Sequence, residues 1–112
     1  MAQTKQIDRG RWSDFLRMFS NGNRGLLIAI EIADTADGDQ PLADAAPLLS
    51  IDFDPAGKGD DLVITTGRDQ IDSAHKISAP LEIWELQDDN GKVMALEVID
   101  LGGSKTTLAF RS

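Results

Sequence analysis

The hydrophobic rhythm of this chain changes once, near residue 25, and that change restricts the fold more than any other feature. Upstream of it, Trp12, Phe15, Leu16 and Phe19 recur at i, i+3, i+4 and i+7, the spacing that gathers side chains on one stripe of an α-helix. Downstream, Leu26, Ile28, Ile30 and Ile32 alternate with Leu27, Ala29 and Glu31, the period of a strand with one buried face. An apolar stripe and a half-apolar sheet each need a cover, and each can cover the other. The expected class is therefore α+β: one N-terminal amphipathic helix packed on a mostly antiparallel sheet, or in a partly closed barrel, of about six strands.

The helix is expected over residues 8–20. Asp8 suits the N-cap, and Ile7 and Trp12 then fall at the two positions of a hydrophobic staple. Ser20-Asn21-Gly22-Asn23 should end it, with Asn21 or Gly22 in the left-handed turn. Strands are expected near 26–33, 48–53, 61–66, 74–78, 81–87, 92–99 and 105–111. Residues 34–44 read as a polar loop and 54–60 as a turn. Asp88-Asp89-Asn90-Gly91 carries the strongest turn signal, because Asn-Gly accepts the positive φ angles of a type I′ turn. Tight turns imply antiparallel pairing. The predicted core is Trp12, Phe15, Leu16, Phe19, Ile28, Ile30, Leu96, Leu108 and Phe110, with Trp84 also expected inside. Leu27, Val63, Val93 and either Ile83 or Trp84 put apolar groups on the second face, for a barrel interior, another layer or a second copy to cover.

Composition narrows the function. The 112 residues are the size of one domain, expected over 1–112. There is no cysteine, which excludes a disulfide scaffold, a thiolate metal site and a cysteine nucleophile. Residues 1–11 hold no apolar leader, and the longest apolar run, Leu26 to Ile30, is far shorter than a bilayer span of about 20 residues. A cytoplasmic location away from membranes is the expectation. The net charge of −8 argues against nucleic acid, whose phosphates need a cationic surface. Charge is also uneven. Residues 1–25 carry five cations and two anions, +3, leaving six cations and seventeen anions, −11, for the rest. Either a basic helix lies over an acidic sheet, or the helix is offered to an anionic partner.

No catalytic constellation emerges, and no metal or cofactor is implied. His75 is the sole histidine, near Asp72, Ser73 and Ser78; a triad needs these groups hydrogen-bonded in order, and no nucleophile elbow is present. Asp52-x-Asp54-x-Ala56-Gly57 opens like a calcium loop, but Ala56 and Val63 stand where two of the oxygen ligands belong. Gly102-Gly103-Ser104-Lys105 lacks the Gly-Lys-Ser/Thr order of a phosphate loop and leads into a strand.

Several weak motifs gain weight from their order. Trp12-x-x-Phe15-Leu16-x-x-Phe19-Ser20, then Gly25 and the Leu26–Ile32 strand with Glu31, resembles the start of a bacterial family of small domains of unknown function. His75-x-Ile77-x-x-Pro80 and Thr107-Leu108-x-Phe110-Arg111 are similar to its later segments. Members often place an aromatic residue where this chain has Leu26. The resemblance covers nearly the whole chain, implies the same helix-then-strands order, and carries no activity. It directs attention to Trp12, Glu31, His75, Pro80 and Arg111. The reading that follows is a non-catalytic binding or assembly module able to form a homodimer or take a protein partner. Its alternatives are a small enzyme or metal-binding protein that joins His75 to nearby carboxylates, with Glu31 or Arg111 close in space, and a small-ligand barrel.

Overall fold

A computed structural model describes residues 3–34, 38–54 and 61–110. It shows one α-helix and one antiparallel sheet of eight strands, which is open and not closed into a barrel. The strands are β1 (Gln3–Ile7), β2 (Leu27–Asp34), β3 (Gly38–Asp54), β4 (Asp61–Thr66), β5 (Ser73–Ser78), β6 (Pro80–Gln87), β7 (Val93–Asp100) and β8 (Lys105–Phe110). Their order across the sheet is β1-β6-β7-β8-β2-β3-β4-β5.

That order forces the sheet to curl. β6 stands second and β5 eighth, so six inter-strand spacings separate them, about 29 Å if the sheet were flat. Yet only Ala79 joins Ser78 to Pro80, and two residue steps reach at most about 7 Å. One end of β5 must therefore meet one end of β6 across the rolled sheet. Ala79 takes the corner with φ at +52°, and its carbonyl accepts the Leu101 N–H from the β7–β8 turn at 3.0 Å. Irregular registers sharpen the roll, since each extra residue adds local twist. One lies at Ala45, with φ +55°, and another where Leu86 faces Ala95 but Gln87 faces Val93, leaving Met94 as the extra residue.

The helix α1 (Trp12–Asn23) lies against the inner surface along β3. Trp12, Leu16 and Phe19 are buried; they join Ile28, Ile30, Leu48, Ile51, Leu62, Ile64, Ile77, Ile83, Leu96, Val98 and Leu108 in one cluster, with Phe15 and Phe110 half-buried against it. A buried hydroxyl anchors the helix to the sheet. Ser20 Oγ donates to the Leu16 carbonyl and accepts the Ile51 N–H at 3.0 Å.

Several expectations need correction. The helix does not begin at Asp8, whose side chain makes no capping bond; a 3-10 turn (Arg9–Arg11) comes first, closed by Arg11 N–H to the Asp8 carbonyl at 2.9 Å. The Ile7 and Trp12 neighbours are held instead by the indole N–H donating to the Ile7 carbonyl at 2.9 Å. At the other end α1 runs through Gly22 to Asn23, and Gly25, with φ +90°, takes the left-handed turn. The strands number eight rather than about six. Gln3–Ile7, too polar to read as a strand, pairs with β6 as an edge, where a strand can leave its outer side to water. The supposed loop at 34–44 is largely strand: β3 begins at Gly38 and pairs with β2, Ala33 facing Asp39 and Glu31 facing Pro41. Residues 55–60 of the expected turn lie outside the described residues. The 88–91 turn has positive φ at Gly91 (+82°) but not at Asn90, so it is not type I′. Asp88 Oδ1 instead accepts the N–H groups of Asn90 and Lys92. Trp84 is not a core residue: it sits half-buried on the outer face, opposite Gln6 and Glu97, with its indole N–H donating to Glu82 Oε1 at 2.9 Å. Ile83 takes the core position.

Candidate functional site

A rolled sheet has two ends, and each forms a cavity. Alternation decides which side chains face inward. In β2, β8 and β7 the inner row includes Ile32, Thr106 and Val98, one strand beside the next. In β5, Ile77 faces Leu62 and His75 faces Ile64. Because Leu62 and Ile64 are core residues, His75 also points to the inner surface. It lines a cleft of about 300 Å³ at the end where β5 approaches the β7–β8 turn, together with Ile32, Lys76, Ile77, Ser78, Asp100, Gly102, Ser104 and Thr106.

The polar groups of this cleft are unevenly satisfied. Lys76 Nζ lies 3.2 Å from Asp61 Oδ2. Asp100 Oδ1 accepts the Ser104 N–H at 3.0 Å, which fixes the turn and the carboxylate together. His75 Nε2 is the exception: it is shielded from solvent and has no hydrogen-bond partner, alone in this among the buried side-chain atoms of the described residues. A buried polar group left unpaired costs about 1–3 kcal/mol, so such an atom calls for an explanation.

The other expected site residues do not gather here. Glu31 lies between Ile30 and Ile32 and so on the outer face of β2, exposed and opposite Thr107. The sheet separates it from His75. Arg111 lies outside the described residues. Asp72 is exposed, its backbone N–H bonded to the Thr66 carbonyl. Among the described residues no three His, Cys, Asp or Glu side chains are placed to hold a metal, and no helix is long and apolar enough to cross a membrane.

The opposite end is apolar. A groove of about 500 Å³ opens between the C-terminal half of α1 and the ends of β7 and β8, lined by Phe19, Leu26, Val93, Met94 and Phe110, with Asn23, Asp88 and Lys92 at its edge. The Phe15 and Phe19 rings stack at 5.7 Å, and Phe19 meets Phe110 at 5.6 Å. A shallower hollow shares Phe19 and continues along the helix past Phe15 and Met18. The surface is wet: Met18 is 72% exposed, Met94 55% and Leu26 49%. The charged residues in the lining of the groove and the hollow are Arg11 and Lys92 against Asp14 and Asp88, two cations and two anions that cancel on a molecule of −8.

The alternating strand pattern concealed this groove. Met94 faces it because the irregular register makes Met94 an extra residue, a displacement that re-aims a side chain and that no residue type signals in advance. Glu85 was missed too: it sits on the inner side opposite Leu96, buried, and accepts a bond from Gln87 Nε2 at 2.6 Å.

An uncharacterized protein of Aquifex aeolicus (strain VF5) is 29% identical over 108 residues, covering 96% of this chain and 92% of the relative. No solved structure matches the chain. The family signature extends over residues 3–112, with the helix stripe, the rolled sheet and both cavities inside it, and the chain belongs to the family of unknown function DUF5335.

Proposed function

We propose that this chain is a non-catalytic assembly module that pairs with a second copy of itself through the apolar groove beside α1. One observation carries the reading: Met18, Leu26 and Met94 are exposed together around the half-buried Phe15 and Phe110. Apolar patches of this kind on small proteins mark interaction sites, and methionine is the residue that adapts most easily to a docked surface.

Charge selects the surface. Two copies at −8 repel over most of their surfaces, and like charges brought face to face oppose association. At physiological salt only groups within about 8 Å interact strongly. The charged residues lining the groove and hollow cancel, so this is a surface on which two copies meet without that penalty. A two-fold contact would set the same patch on both sides. The cytoplasm is the compartment in which we place this pairing, supported by a composition with no cysteine to oxidise.

Sedimentation velocity on the wild-type protein and on Met94→Glu and Leu26→Glu tests the proposal. Expected is a concentration-dependent dimer for the wild type, and a monomer with unchanged circular dichroism and melting temperature for each variant. A wild-type protein that stays monomeric at millimolar concentration overturns it, as does a dimer that both variants leave intact.

A further inference from the structure

We infer that the cleft at the opposite end is a binding site for a small amine. This rests on the His75 end of the molecule and does not depend on the assembly reading. Three observations support it. His75 Nε2 is buried without a partner in a wall of the cleft. Lys76, the cation in the lining, is drawn to Asp61 at 3.2 Å. Asp100 brings a carboxylate that is held in place by the Ser104 N–H.

These groups specify the chemistry of the ligand. With Lys76 occupied, the lining offers a carboxylate, an imidazole nitrogen and the hydroxyls of Ser104 and Thr106, all able to accept hydrogen bonds. An ammonium group has three donors and no acceptor, and its charge opposes that of Asp100. A carboxylate ligand would instead meet Asp100 as a like charge. Ile32 and Ile77 supply an apolar floor for a short alkyl chain, and a cleft of about 300 Å³ is at the lower end of the range that holds small molecules. The ammonium would sit against Asp100, and a turn of the imidazole that opens Nε2 to the cleft would let it donate there, giving the orphaned nitrogen the partner it lacks.

The sole histidine makes the test direct. A histidine-selective nitrogen NMR spectrum contains one imidazole, and it can be followed while ethanolamine or 1,4-diaminobutane is added, with glycerol and acetate as neutral and anionic comparisons. The expected result is a saturable shift of the His75 ring nitrogens with the amines, accompanied by a shift of the Ser104 amide. Asp100→Asn removes the charge but keeps an oxygen for the Ser104 N–H, so it should weaken amine binding by at least about tenfold without unfolding the turn. In His75→Gln the Ser104 shift reports binding in place of the imidazole, and it should saturate only at higher amine concentration. No saturable shift with either amine overturns the inference. So does equal binding of glycerol or acetate, or an Asp100→Asn variant that binds amines as tightly as the wild type.

Discussion

Trp12 is held from three directions. Its indole N–H donates to the Ile7 carbonyl at 2.9 Å, its ring meets Phe53 edge-on at 5.2 Å, and the Arg9 guanidinium lies 4.8 Å from the ring centre. Arg9 also donates to the Pro80 carbonyl at 3.2 Å, so Trp12 and Arg9 together tie β1, β3 and the β6 corner. Trp12→Ala should cost about 3–5 kcal/mol, the usual range for emptying a buried aromatic site. Urea unfolding measures it, and a loss below about 1 kcal/mol would place the residue at the surface. Trp12 and Leu16 were legible because helical spacing reports a buried stripe directly. His75 was legible only as a residue type. Its inner placement follows from facing Ile64 in the neighbouring strand, and cross-strand register is not written in any local run of sequence.

At the scale of elements, the join between helix and sheet is a hydroxyl rather than a hydrophobic contact alone. Ser20 relays the Leu16 carbonyl to the Ile51 N–H. Ser20→Ala leaves that buried N–H without its acceptor, for an expected loss of about 1–3 kcal/mol. Amide hydrogen exchange should then speed up at Ile51 more than in β7 or β8, because the fault is local to the α1–β3 contact. An unchanged Ile51 rate would show that another group takes over as acceptor. The strands legible in the sequence were those with clean alternation, such as Lys105–Phe110. Gln3–Ile7 was hidden because an edge strand has little to bury; only Ile7 of its five residues is buried. The start of β3 was hidden because Gly38, Asp39 and Pro41 are turn-forming types. Pairing with β2 overrides that local preference.

For the whole molecule, the imbalance of charge should show in how association depends on salt. The remainder beyond residue 25 carries −11, and at low ionic strength, where the screening length grows to about 30 Å at 0.01 M, that charge reaches across the proposed interface. Dimerisation should therefore strengthen as salt rises from 0.01 M toward about 0.15 M, the reverse of an association held by ion pairs. Sedimentation equilibrium at several salt concentrations measures the trend, and weakening across this range would point to an oppositely charged contact. Strand spacing offered a partly closed barrel as one alternative, but it specified neither the roll of the sheet nor its two cavities. Both follow from strand order, which depends on partners far apart in the chain.

The pairing of Gln3–Ile7 with Pro80–Gln87 has a consequence during synthesis. A ribosome adds about 5–20 residues each second, so the first strand waits several seconds for its partner to emerge. Trp12 meets Phe53 earlier than β1 meets β6, and the Arg9 side chain finds the Pro80 carbonyl only near the end. Until β3 emerges, the aromatic stripe of the nascent chain has no sheet strand from Gly38–Asp54 to cover it.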